Sequence, residues 1–87
     1  MPDYQLRWSK AAGKELDRIP SPLANRIYER IENLALTPRP PGALKLKGHS
    51  YWRIRIGDYR VLYAIDDGLK TVSIMSVCHR KDVYRDL

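Results

Sequence analysis

From Tyr4 to Trp8 the chain alternates: Tyr4, Leu6 and Trp8 fall on one side, Gln5 and Arg7 on the other. A period of two predicts a short, half-buried strand. The period then lengthens. Ala12, Leu16 and Ile19 are spaced along one helix face, Lys10, Lys14, Asp17 and Arg18 point outward, and Ser9 stands where an N-cap belongs. Pro20-Ser21-Pro22 breaks the pattern and restarts it. Ser21 as N-cap with Pro22 at the first helical position predicts a second helix to about Leu36, burying Leu23, Ile27, Ile31, Leu34 and Ala35. The two helices are expected to form an antiparallel hairpin.

Residues 37–43, TPRPPGA, are too rich in proline for a helix or a central strand and predict a stiff, extended connection. LKLKGHS follows as a basic approach to the sheet. Three strand patterns then run to His79, separated by Gly57-Asp58 and Asp67-Gly68, both hairpin signals. With Gly57-Asp58 as a two-residue loop, Ile56 pairs with Tyr59, Arg55 with Arg60, Ile54 with Val61, Arg53 with Leu62 and Trp52 with Tyr63. Across Asp67-Gly68 the same reasoning pairs Tyr63 with Val72 and Val61 with Ile74.

Directly paired residues share a face, and faces alternate along each strand. One face therefore collects Trp52, Ile54, Ile56, Tyr59, Val61, Tyr63, Val72, Ile74, Ser76 and Cys78, and needs a cover. The other collects Tyr51, Arg53, Arg55, Arg60, Leu62, Ala64, Thr71, Ser73, Met75, Val77 and, at its end, His79. The expected fold is α+β: an N-terminal strand and helical hairpin packed on one face of a curved antiparallel sheet of about four strands. The final RKDVYRDL forms a short C-terminal helix or a tail.

Length and composition narrow the picture. At 87 residues the chain makes a single domain, residues 1–87, near the lower limit for one unstapled core. Cys78 is the only cysteine, so no internal disulfide is available. With only two histidines, His49 and His79, far apart, no metal site is expected. Cys78 itself reads as a small buried hydrophobe. No leader segment and no bilayer-spanning run is apparent, which points to a cytoplasmic protein with no membrane partner. The net charge of +6 allows a polyanionic partner, most simply nucleic acid. That charge is concentrated: Lys45, Lys47, Arg53, Arg55 and Arg60 stand against Asp58 alone between Leu44 and Arg60.

The Arg55–Arg60 pair is the most informative feature. Like charges directly opposite each other destabilise a sheet, and lysine would serve solubility equally well. The rigid guanidinium fork suits bidentate phosphate contact. Lys45, Lys47 and Tyr51 are further candidate RNA contacts.

The stretch YWRIRIGDYRVLYAIDDG followed by VCHRKDVY resembles the RelE/ParE superfamily of bacterial and archaeal toxins, and the likeness covers nearly the whole chain. The resemblance implies a RelE-type mRNA interferase that cleaves mRNA in the ribosomal decoding site without cofactor or metal. It implies two partners besides mRNA: the ribosome and a cognate antitoxin. It also implies site residues. Arg53 and Arg55 match a basic pair on the second strand, Arg60 an arginine after the first hairpin turn, Arg80 an arginine after the last strand, and Tyr84 a C-terminal tyrosine. The best-known RelE carries lysines where Arg53 and Arg55 stand, and arginine does not give up its proton.

The implied reaction is attack of a ribose 2′-hydroxyl on the adjacent phosphorus with loss of the 5′-oxygen. Arg60 and Arg80 would hold the phosphate. Arg53 and Arg55 would position the backbone and favour ionisation of the 2′-hydroxyl. Tyr84 would stack on a base or orient a phosphate. His79 is base, acid or neither, since its ordinary pKa of ~6.5 suits either role. Two other readings stand beside this one: a gyrase-directed toxin on the same scaffold, and a non-catalytic nucleic-acid-binding module.

Overall fold

The computed structural model describes residues 3–48 and 50–79. His49, Arg80, Tyr84 and the expected C-terminal helix or tail lie outside them. The elements run β1 (Gln5–Trp8), α1 (Lys10–Asp17), α2 (Leu23–Glu32), a 3-10 turn (Asn33–Ala35), β2 (Leu44–Lys45), β3 (Tyr51–Ile56), β4 (Tyr59–Asp66) and β5 (Thr71–His79). The strands form one five-stranded sheet in the order β1-β5-β4-β3-β2. The fold is α+β, as expected, with two differences. LKLKGHS contributes an edge strand of its own, and β1 lies parallel to β5, so the sheet is mixed. A parallel neighbour needs a long crossover; everything from α1 to β4 intervenes between β1 and β5.

Both helices cover one face. Ala12 and Ile19 from the first helical segment join Ile27, Ile31 and Leu34 from the second, against Ile54, Ile56, Val61, Tyr63, Val72, Ile74 and Val77 of the sheet. Ser9 caps α1 by accepting from the Ala12 amide at 3.0 Å. α2 starts one residue later than the Ser21 cap implies. Pro22 is the boundary residue, helical in its own angles, and no side chain caps it. A 3-10 turn then carries Leu34 and Ala35 into the core, so the apolar spacing extends past the last α-helical residue.

The proline-rich connection crosses the end of the sheet and is held there by side chains. The Tyr63 hydroxyl donates to the Pro38 carbonyl at 2.7 Å. Arg39 pairs with Asp67 at 2.9 Å and lies over the Trp52 ring. Tyr4 donates to the same Asp67 at 2.6 Å, which ties the start of the chain to the β4–β5 turn. These bonds hold the Asp67 carboxyl below its ordinary range, chiefly through Arg39 and then Tyr4.

The first hairpin has the expected register throughout, from Tyr51↔Ala64 to Ile56↔Tyr59. Gly57 takes φ +61 in its loop, where a side chain would be strained. The second hairpin departs from expectation twice. Its loop is residues 67–70, because Asp66 and Thr71 are the last pair. Asp66 accepts from the Leu69 amide at 2.9 Å and Lys70 turns back at φ 54. Tyr63 therefore meets Ile74 and Ile65 meets Val72. Beyond Tyr63 a bulge shifts the ladder by a further residue, giving Leu62↔Ser76, Val61↔Val77, Arg60↔Cys78 and Tyr59↔His79. A one-residue slip exchanges the faces.

Candidate nucleic-acid interface

The face opposite the helices is built on β3 and β4. Ile54 and Ile56 on β3 and Val61 and Tyr63 on β4 point into the main core, so the residues between them point away. Arg53, Arg55 and Arg60 therefore share the far face, with Arg55 directly across from Arg60 and Arg53 across from Leu62 on one side and Leu44 on the other. A second, smaller apolar cluster of Leu46 and Leu62, with Tyr51, Met75 and Cys78 against it, floors this face.

The three arginines differ in environment. Arg55 is exposed and Arg60 half-buried. Arg53 is only 8% exposed. Its stem lies among apolar neighbours, as long cationic side chains allow. The Nε–H groups of Arg53 and Arg60 are both buried, and neither has a hydrogen-bond acceptor among the described residues. A buried donor without a partner costs about 1–3 kcal/mol, and native structures carry few of them. Two on one face, beside a directly opposed pair of cations, concentrate positive charge and unpaired donors in one place. No guanidinium can serve as a base at neutral pH. The face can grip and polarise a phosphodiester; it does not itself offer a proton acceptor among its arginines.

Other expected site residues fall differently. The bulge turns Cys78 onto the arginine face, across from Arg60, and Val77 into the core, which reverses the expectation for both. It also moves His79. The expected register places His79 with the arginines; instead it pairs with Tyr59, whose side chain packs against the main core, and the two rings meet edge-on at 5.5 Å. Lys45 pairs with Trp52, so its side chain starts from the helix-side face of the sheet. Lys45 and Lys47 line an open recess of about 650 Å³ with Leu46, Gly48 and Ser50, at the margin of the arginine face. Tyr51 is half-buried and on that face, as expected. Arg80 and Tyr84 lie outside the described residues.

One participant has no counterpart in the sequence reading. Glu15 of α1 reaches β5 at the bulge, where its Oε1 accepts from the Val77 amide at 2.9 Å and from the Ser76 hydroxyl at 3.2 Å. The buried apolar positions of β5 change from Val72 and Ile74 to Val77, an even-to-odd shift that a regular strand cannot accommodate. In the sequence Ile74, Met75, Val77 and Cys78 are apolar at both parities, so alternation alone does not reveal it.

A helical layer on one face of a small mixed sheet, and guanidinium groups turned outward on the other, define a class of compact basic α+β domain. Solved structures that share it include chains of toxin–antitoxin complexes. The fold matches the toxin of the archaeal RelE–RelB complex from Pyrococcus horikoshii with a TM-score of 0.80, at 28% identity over 90% of this chain and 96% of that one. It matches a chain of the RelBE2 toxin–antitoxin complex from Mycobacterium tuberculosis with a TM-score of 0.76, at 30% identity over 92% of this chain and all of that one. Toxin RelG of Mycobacterium tuberculosis is 33% identical over 84 residues, covering 94% of this chain and 97% of the relative.

The profile of the family described as "ParE toxin of type II toxin-antitoxin system, parDE" matches residues 6–84, and the chain belongs to that family. It is a toxin of a type II toxin–antitoxin system, within the RelE/ParE superfamily. No helix among the described residues is long and apolar enough to cross a membrane.

Proposed function

We propose that this toxin is a ribosome-dependent mRNA endonuclease that blocks translation, and that a cognate antitoxin neutralises it. The observation that carries the reading is the gathering of Arg53, Arg55 and Arg60 on the face opposite the helices, with Arg55 directly across from Arg60. The named relative and both solved neighbours bear RelG, RelE or RelBE names, which supports the RNase branch.

In this reading Arg60 donates to the non-bridging oxygens of the scissile phosphate as charge builds on the phosphorane. Arg53 and Arg55 hold the flanking backbone and favour ionisation of the 2′-hydroxyl. Arg80 and Tyr84, carried over from the resemblance, complete the phosphate and base contacts. The 2′-oxygen forms its bond to phosphorus as the 5′-oxygen leaves. His79, across the sheet from the arginines, takes no part. The ribosome aligns the message and supplies what the arginine face lacks. The antitoxin covers that face with acidic side chains, in keeping with the charge it presents.

The family description names ParE, and this favours a second reading, inhibition of DNA gyrase. Induction of the toxin followed by mapping of transcript 5′ ends separates the two. New ends at fixed positions within translated codons support the endonuclease. Intact messages with double-strand DNA breaks support gyrase.

A further inference from the structure

The bulge in β5 determines which side chains face the arginines, and α1 holds it from the outside. β1 ends at the Trp8↔Ile74 pair, so β5 has no strand along its outer side beyond Ile74. An extra residue in one strand also leaves backbone groups out of the ladder. α1 supplies partners there. Ser9 donates its backbone N–H to the Ile74 carbonyl at 3.0 Å and its hydroxyl to the Met75 carbonyl at 2.9 Å. Glu15, two turns along, accepts from the Val77 amide and the Ser76 hydroxyl. The residues that flank the bulge are thus held by two side chains of one helix segment.

The alternative is a regular β5, with the residues from Val77 onward on the opposite face. Val77 would leave the core, Cys78 would leave the arginine face and His79 would change sides. A bulge therefore needs a specific reward, and a carboxylate on a backbone N–H is a strong, charge-assisted one.

We propose that Glu15 is a positioning residue for the arginine face: by holding the bulge it sets the register of β5 against β4 beside Arg60. It touches no substrate and acts through β5. The consequence for cleavage rests on the endonuclease reading above; the consequence for register does not.

Three variants test it. Glu15→Gln keeps an acceptor oxygen at the same reach, Glu15→Asp keeps the charge but draws it back by one methylene, and Glu15→Ala removes both. Each is examined by NMR for the Tyr59–His79 ring contact, and in a translation reaction for message cleavage. Glu15→Gln retains the ring contact and cleaves within about threefold of the parent, whereas Glu15→Asp and Glu15→Ala lose the contact and at least ~10-fold of the cleavage rate, as small displacements at a reacting site do.

If Glu15→Ala does not fold, the Asp and Gln pair carries the comparison. A ring contact that survives in Glu15→Asp overturns the proposal, and so does its loss in Glu15→Gln. An inert parent protein would overturn the endonuclease reading and leave the register result to be judged alone.

Discussion

Arg55 and Arg60 stand directly opposite each other across β3 and β4. Cross-strand pairs contribute roughly 0.2–1 kcal/mol, and like charges reverse the sign. On the endonuclease reading, function and stability are therefore in opposition here. Arg55→Thr is predicted to raise the unfolding free energy of the isolated toxin by up to ~1 kcal/mol in urea titrations while weakening growth inhibition. His79 provides the complementary case. It lies against Tyr59, across the sheet from the arginines. His79→Gln is predicted to leave the message-cleavage rate unchanged, and a loss of more than tenfold at unchanged stability would return the histidine to the chemistry.

At the scale of elements, the legible parts of the fold were those governed by local pattern. Ser9 as cap, the Ile27–Ile31–Leu34 stripe and the Gly57 turn all follow from spacing and backbone freedom, and all are found. The parts that were not legible depend on distant partners. The parallel pairing of β1 with β5 is a choice of neighbour, not of periodicity. The four-residue β4–β5 loop depends on the Asp66 side chain accepting from Leu69, and the bulge on a glutamate 61 or 62 residues away in sequence. Arginines on the first hairpin were placed correctly because its two-residue loop fixes register; His79 was misplaced because the second hairpin's register is set by tertiary contacts.

Tyr63 gives the elements a measurable link. Burial raises its phenol to about 12, with the hydroxyl donating to Pro38. A folded pKa above the unfolded value of ~10 means the contribution is complete below pH ~10 and is lost as pH rises towards about 12. Tyr63→Phe is predicted to cost about 0.5–1.5 kcal/mol at neutral pH, and to lose less stability than the parent between pH ~10 and ~12. Parallel urea titrations of the two proteins across that window check the sign.

At the scale of the molecule, one sheet serves two purposes. Its inner face is consumed in holding the helices, through side chains such as Val61, Val72 and Ile74 that are fully buried. Its outer face is left to the arginines and a small apolar floor. A net charge of +6 adds long-range attraction to a polyanion, and on the endonuclease reading the grip comes from the guanidinium groups gathered on the outer face. Binding to RNA is therefore expected to weaken with salt, and Arg60→Ala to flatten that dependence by about one phosphate contact. The most direct measurement is message cleavage by Arg60→Ala in a purified translation reaction, beside the parent toxin. A loss of ~10²–10³ in rate, with the fold intact by circular dichroism, is the predicted result. Cleavage at the parent's rate would contradict the assignment of the arginine face to the chemistry.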